Sequence, residues 1–183
     1  MIRSGEGRPS PFCVHAMDKR TVSEILTPTP ADQTERPRLV LDTNTVLALW
    51  MFRDPALAAL RDWIEAGRCR LYSRADALEE LRRVLAYRQF GLDGPTQAHI
   101  LDAYRGRTLD AADCAPPPAA SSALPRCQDE DDQKFLEIAR TSTADALLTR
   151  DKALLRLHRH RALRDHCRIE RPESFHLPTV NAP

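Results

Sequence analysis

The chain has 183 residues, enough for one domain with a buried core and too few for two of ordinary size. Its 27 Lys and Arg nearly balance 26 Asp and Glu, so no whole-molecule field marks it as a polyanion binder, and any nucleic-acid surface has to be local. Five dispersed cysteines with no C-x-x-C pair argue against a zinc ribbon or a disulfide framework and fit a reducing, cytoplasmic setting, and no apolar run reaches the roughly 18 residues of a membrane span.

Residues 1–36 mix Gly, Pro, Ser, Thr and charges without a sustained period, and Pro28, Pro30 and Pro37 interrupt any element. They are expected to be a disordered N-terminal leader, followed by a domain over 37–177 and a short tail at 178–183. Arg38-Leu39-Val40-Leu41-Asp42 reads as a fully buried strand that ends at Asp42 and is followed by a loop. Asp54 and Pro55 then open a helix through Leu57, Leu60, Trp63 and Ile64, which Gly67 stops. Cys69–Tyr72 is a second strand, and Ser73 is placed to cap a helix that carries Glu79 and Glu80 beside Leu78, Leu81, Val84 and Leu85.

Pro95 begins a further helix through Ile100, Leu101 and Tyr104, and the Pro, Ala and Ser-rich stretch Cys114–Pro125 reads as a surface loop. Asp129–Asp132 is an acidic run leading into a helix with Phe135, Leu136, Ile138 and Ala139, where negative charge suits the positive end of the helix dipole. Ala146–Thr149 is a buried strand terminated by Arg150-Asp151, a helix through Ala153–Leu157 follows, and Cys167–Glu170 is a last strand. Strands alternating with helices predict an α/β fold with a mostly parallel sheet covered on both faces.

In such sheets ligands bind beyond the carboxyl ends of the strands, where both Asp42 and Asp151 fall. Several carboxylates in one crevice repel one another unless cations neutralise them, and all-oxygen donors favour hard ions such as Mg2+ or Mn2+. The segments Val40–Asn44, Leu78–Leu85, Asp129–Phe135 and Leu148–Asp151 resemble, in order and rough spacing, the motifs of PIN-domain nucleases. They look closest to the VapC-like branch of toxins from toxin-antitoxin pairs. The resemblance covers 38 to about 176, with Arg171–Phe175 similar to that branch's closing segment.

That resemblance implies a three-layer α/β/α PIN-like fold and an endoribonuclease that hydrolyses RNA phosphodiester bonds with Mg2+ or Mn2+. By motif it gives the catalytic and metal-holding role to Asp42, Glu80, Asp132 and Asp151, and support of the first acid to Asn44. Asp129 is the alternative third acid, because many relatives have an aspartate where this chain has Gln133. A cognate antitoxin protein and a homodimer are the partners it implies besides RNA. The competing reading, resting on Gln133, is a catalytically inactive protein-interaction module.

Blander roles compete for several residues. Glu79 fits a solvent-facing position, and Asp145 a turn. Part of the 129–132 run fits helix capping. The basic stretch from Lys152 to Arg168 and the cluster Arg82, Arg83 and Arg88 suit phosphate contacts and a solvated helix face equally. Aromatic residues are 5% of the chain, which gives little support to base-stacking platforms.

Overall fold

In the computed structural model, which describes residues 36–114, 123–163 and 167–178, five short strands pair into one all-parallel sheet of order β3-β2-β1-β4-β5. The expected leader up to residue 35, most of the 114–125 loop and the tail beyond 178 lie outside the described residues. In chain order the elements are β1 (Arg38–Leu41), α1 (Thr43–Val46), α2 (Ala58–Glu65), β2 (Arg70–Ser73), α3 (Ala75–Leu85), α4 (Gly94–Arg105), β3 (Thr108–Asp110), α5 (Gln133–Thr141), β4 (Ala146–Leu148), α6 (Lys152–Arg156) and β5 (Arg168–Glu170). A π-helical stretch, Leu47–Met51, prolongs α1, and a 3-10 turn, Pro55–Leu57, leads into α2.

The sheet is central because its strands are apolar on both faces. Leu39 and Leu41 of β1 point into a core shared with Leu71, Leu148, the π-helical stretch and the apolar sides of α2, α3 and α4. Val40, Tyr72, Leu147 and Ile169 point into a second core with Phe135, Leu136 and Ile138 of α5 and Leu154 of α6. Because strand side chains alternate between faces, two cores on one sheet make three layers, α/β/α. Both tryptophans serve the first core: Trp50 lies against Tyr104 with ring centroids 5.5 Å apart, and Trp63 meets Phe175 at 5.8 Å.

Three local expectations are corrected. No loop follows Asp42: its side chain accepts a hydrogen bond from Thr45 N, and the chain turns at once into α1. Ser73 is the last residue of β2 and bonds to Tyr104, while Arg74 precedes α3 without a side-chain cap. Thr108–Asp110 is a strand the sequence did not reveal, an edge strand whose order comes from pairing with Leu71–Ser73.

The strand order sets where a ligand can sit. From β1 the chain builds outward through β2 and β3, then crosses to the other side of β1 for β4 and β5. The crevice at the carboxyl ends of β1 and β4 is therefore the switch point at which open parallel sheets bind ligands.

Candidate functional site

Asp42 leaves β1 at this switch point and is 2% exposed. Its amide donates to Leu148 O (3.2 Å), which ties it to β4. One carboxylate oxygen accepts from Thr45 N (2.6 Å) and the other from the Thr149 hydroxyl (2.5 Å). Burial pushes the Asp42 carboxyl above its ordinary value; the bonds from Thr149 and Thr45 oppose that shift, and the charge of Asp151 adds to it.

Asp151 lies just past β4. Its Oδ1 caps α6 through Ala153 N (2.7 Å) and Leu154 N (2.9 Å), and its own amide donates to Thr149 Oγ1 (2.9 Å). The single hydroxyl of Thr149, buried and at the end of an apolar run, thus links the two acids that follow the central strands.

Glu80 reaches the crevice from α3. Its Oε1 accepts from the Thr43 hydroxyl (2.6 Å), and its Oε2 pairs with Lys134 Nζ. Lys134 also donates to Asp131 O and lies 5.3 Å from the centroid of the Phe135 ring. Asp132, which precedes α5, faces the same space; burial and the charges of Asp151, Asp129, Asp42 and Glu80 push its carboxyl up to about 6. All three other acids act on it, so the structure draws Asp42, Glu80, Asp132 and Asp151 into one electrostatic neighbourhood.

A cleft of about 210 Å³ opens over these groups, lined by Asp42, Asn44, Glu80 and Asp132 together with Tyr87 and Phe90. Asn44 is exposed there, while the groups that hold Asp42 are Thr45 and Thr149. Asp129 is exposed, and its Oδ1 accepts from Asp131 N (2.9 Å) as a turn residue does. Gln133 is spent on the preceding segment: its Oε1 accepts from Cys127 N (2.7 Å) and its Nε2 donates to Pro125 O (3.3 Å). Glu79 pairs with Arg82 on the solvent side of α3.

The chain matches the PIN domain family over residues 38–153, from the first residue of β1 to the start of α6 and across all four acids. The chain belongs to the PIN domain family. No curated protein and no solved structure matches the chain. PIN domains are generally nucleases and typically use divalent metals, so this PIN domain is of nuclease type.

The donor set in this PIN domain suits a hard cation in its chemistry, being made of crowded carboxylates whose mutual repulsion is visible at Asp132. As the side chains lie, no three or more His, Cys, Asp or Glu among the described residues are grouped to hold a metal ion. The reason is local: Glu80 is engaged by Thr43 and Lys134, both oxygens of Asp42 by Thr149 and Thr45, and Asp151 by the first turn of α6. Lys134, Thr43 and Thr149 were not singled out by the sequence. Thr149 carried the one available signal, a hydroxyl where the strand pattern calls for an aliphatic side chain.

Proposed function

We propose that this PIN domain is a Mg2+- or Mn2+-dependent endoribonuclease acting at the carboxyl ends of β1 and β4. The observation that carries the reading is that Asp42, Glu80 and Asp132, from three parts of the chain, line one cleft; burial raises the Asp132 carboxyl there, and the charges of Asp151, Asp129, Asp42 and Glu80 add to the shift. Natural folds avoid such repulsion except where a charged group or a reaction uses it. Asp42, Glu80, Asp132 and Asp151 are the residues that would hold the ion. A divalent cation in their midst supplies Lewis-acid polarisation of the phosphate and acidifies the attacking water.

The chain's own part is to fix and charge that donor set. Thr149 and Thr45 immobilise Asp42, and Thr43 orients Glu80. Asp132 sheds its proton as pH rises through about 6. Lys134 partly neutralises the cluster through its ion pair with Glu80. The similarity of the four motifs to the toxin branch supports a role as the ribonuclease of a toxin-antitoxin pair, dimeric, cytoplasmic and restrained by a cognate protein. Gln133, on which the inactive-module reading rests, has a structural task in its bonds to Cys127 and Pro125, and the third acid in the active reading is its neighbour Asp132.

The test is cleavage of a mixed RNA pool by the purified protein with Mg2+, Mn2+ or a chelator, run beside the Asp42→Asn variant. Metal-dependent cutting that disappears in the variant is expected. Cutting that survives the chelator or the substitution, or no cutting by the folded, metal-supplied protein, overturns the reading.

A further inference from the structure

A site ringed by carboxylates repels the phosphates of any strand that approaches it, so part of the affinity for substrate has to come from groups other than the acids. The structure supplies such groups in the lining of the cleft and beside it. Tyr87 and Phe90, in the turn after α3, line the same cleft as Asp42, Glu80 and Asp132. Phe52, at the end of the π-helical stretch, joins them: its ring centroid is 5.9 Å from that of Phe90 in an edge contact, and Tyr87 lies 6.4 Å from Phe90 with planes 18° apart.

Phe90 is half-buried against the first core, and the two rings beside it stand in water. Phe52 is 60% exposed and Tyr87 52%, and with Leu109 on the edge strand they are the exposed large hydrophobics among the described residues. The position of the set is fixed. Tyr87 N donates to Val84 O (3.0 Å), Phe90 N to Tyr87 O (3.0 Å) and Phe52 N to Leu47 O (2.8 Å), while Gly91 at φ +61° ends the turn. Both supporting elements also carry the site: the helical segment entered at Asp42 leads to Phe52, and α3 carries Glu80 before it reaches Tyr87. Arg53, Arg83 and Arg88 are exposed on the same segments and hold no ion pair among the described residues, so positive charge accompanies the rings.

We infer that Tyr87, Phe90 and Phe52 form a stacking platform for an unpaired nucleobase next to the scissile phosphate. The inference rests on the ribonuclease reading above. A base offers its face to an aromatic ring only when it is free of its duplex neighbours, and such contacts tolerate any base because every base has a π-face. The flanking arginines draw in the backbone that the acids alone would repel.

The experiment measures binding of a single-stranded RNA 8-mer carrying 2-aminopurine, and of the same sequence as a duplex, to the full chain in chelator. Wild type is compared with a Tyr87→Leu/Phe90→Leu variant and with Tyr87→Phe. Wild type and Tyr87→Phe are expected to bind the single strand and quench the 2-aminopurine; the double variant binds at least about tenfold more weakly, without quenching. The duplex is expected to bind weakly to all three. Equal binding by wild type and the double variant, no binding by wild type, or preference for duplex overturns the proposal. A double variant that loses self-association in sedimentation while binding RNA unchanged also overturns it and makes the patch a protein interface. Because no metal is present, this readout separates the two readings: binding with quenching but no cleavage in the metal assay leaves the platform standing and removes the nuclease, and the reverse result does the opposite.

Discussion

The two ends of the β1–β4 pair carry aspartates and treat them differently. At the amino end, Asp145 is exposed, and its Oδ2 accepts from Arg38 N (2.7 Å) while its own amide donates to Arg38 O (2.8 Å). The Arg38 guanidinium closes the same corner on Ser142 O (3.1 Å) and Thr143 Oγ1 (2.5 Å). At the carboxyl end, Asp42 is buried, its neighbours are further acids, and Lys134 is the cation that reaches them. One end satisfies its charge locally and stabilises the pairing of two strands. The other gathers acids around a buried carboxylate, and it is the end at which the proposed cation would bind.

Substitutions at the two ends give the sharpest contrast. Asp151→Asn is expected to lower RNA cleavage by more than about 100-fold with the fold retained, whereas Asp145→Asn leaves cleavage within about twofold and costs about 1 kcal/mol of stability, read by denaturant melts. Equal activity losses at both ends would break the comparison. Thr149→Val removes the hydroxyl that links Asp42 to Asp151; cleavage should fall about 10- to 100-fold and stability by about 1–3 kcal/mol, since a buried carboxylate oxygen is left without its donor.

The pH dependence of the metal-free protein sharpens the comparison further. The Asp132 carboxyl titrates near 6 in the folded chain against 3.8 when free, so between these values the folded state holds a proton that the unfolded state has lost. Stability from this group is present below about 4 and is lost as pH rises through about 6. Asp132→Asn is therefore expected to raise the melting temperature at pH 7.5 and to bring little change at pH 4. A larger gain at pH 4 would mean that the crowding of acids is absent. The smallest effect expected is at Gly91, whose φ of +61° favours glycine while nothing lies within 4 Å of an added Cβ. Gly91→Ala should cost about 1 kcal/mol in thermal melts and leave metal-dependent cleavage in place.

The ends of β1 and β4 were legible because each short apolar run stops at a polar segment containing an aspartate, and the two occur in order with the Glu80 and Asp129–Asp132 segments between them; the 3.6-residue spacing in Ala58–Glu65 and Ala75–Leu85 gave their helices directly. The helix after Asp42 was not, since Thr43-Asn44-Thr45 has the composition of a turn and acts here as a capped first turn. β3 escaped notice because three residues with two exposed have almost no pattern of their own, and pairing with β2 gives them their order. The Glu80–Lys134 pair and the ring set of Phe52, Tyr87 and Phe90 join segments tens of residues apart. An aromatic content of 5% argued against a stacking surface, but composition carries no information on where the fold gathers its rings.

Whether the carboxyl end of the β1–β4 pair holds a divalent cation is decided by calorimetric titration of Mn2+ into the metal-free chain at pH 7.5. Wild type and Asp145→Asn are expected to bind with the same affinity and Asp42→Asn at least about tenfold more weakly. Wild type that binds no Mn2+, or Asp42→Asn that binds it as wild type does, would contradict the claim.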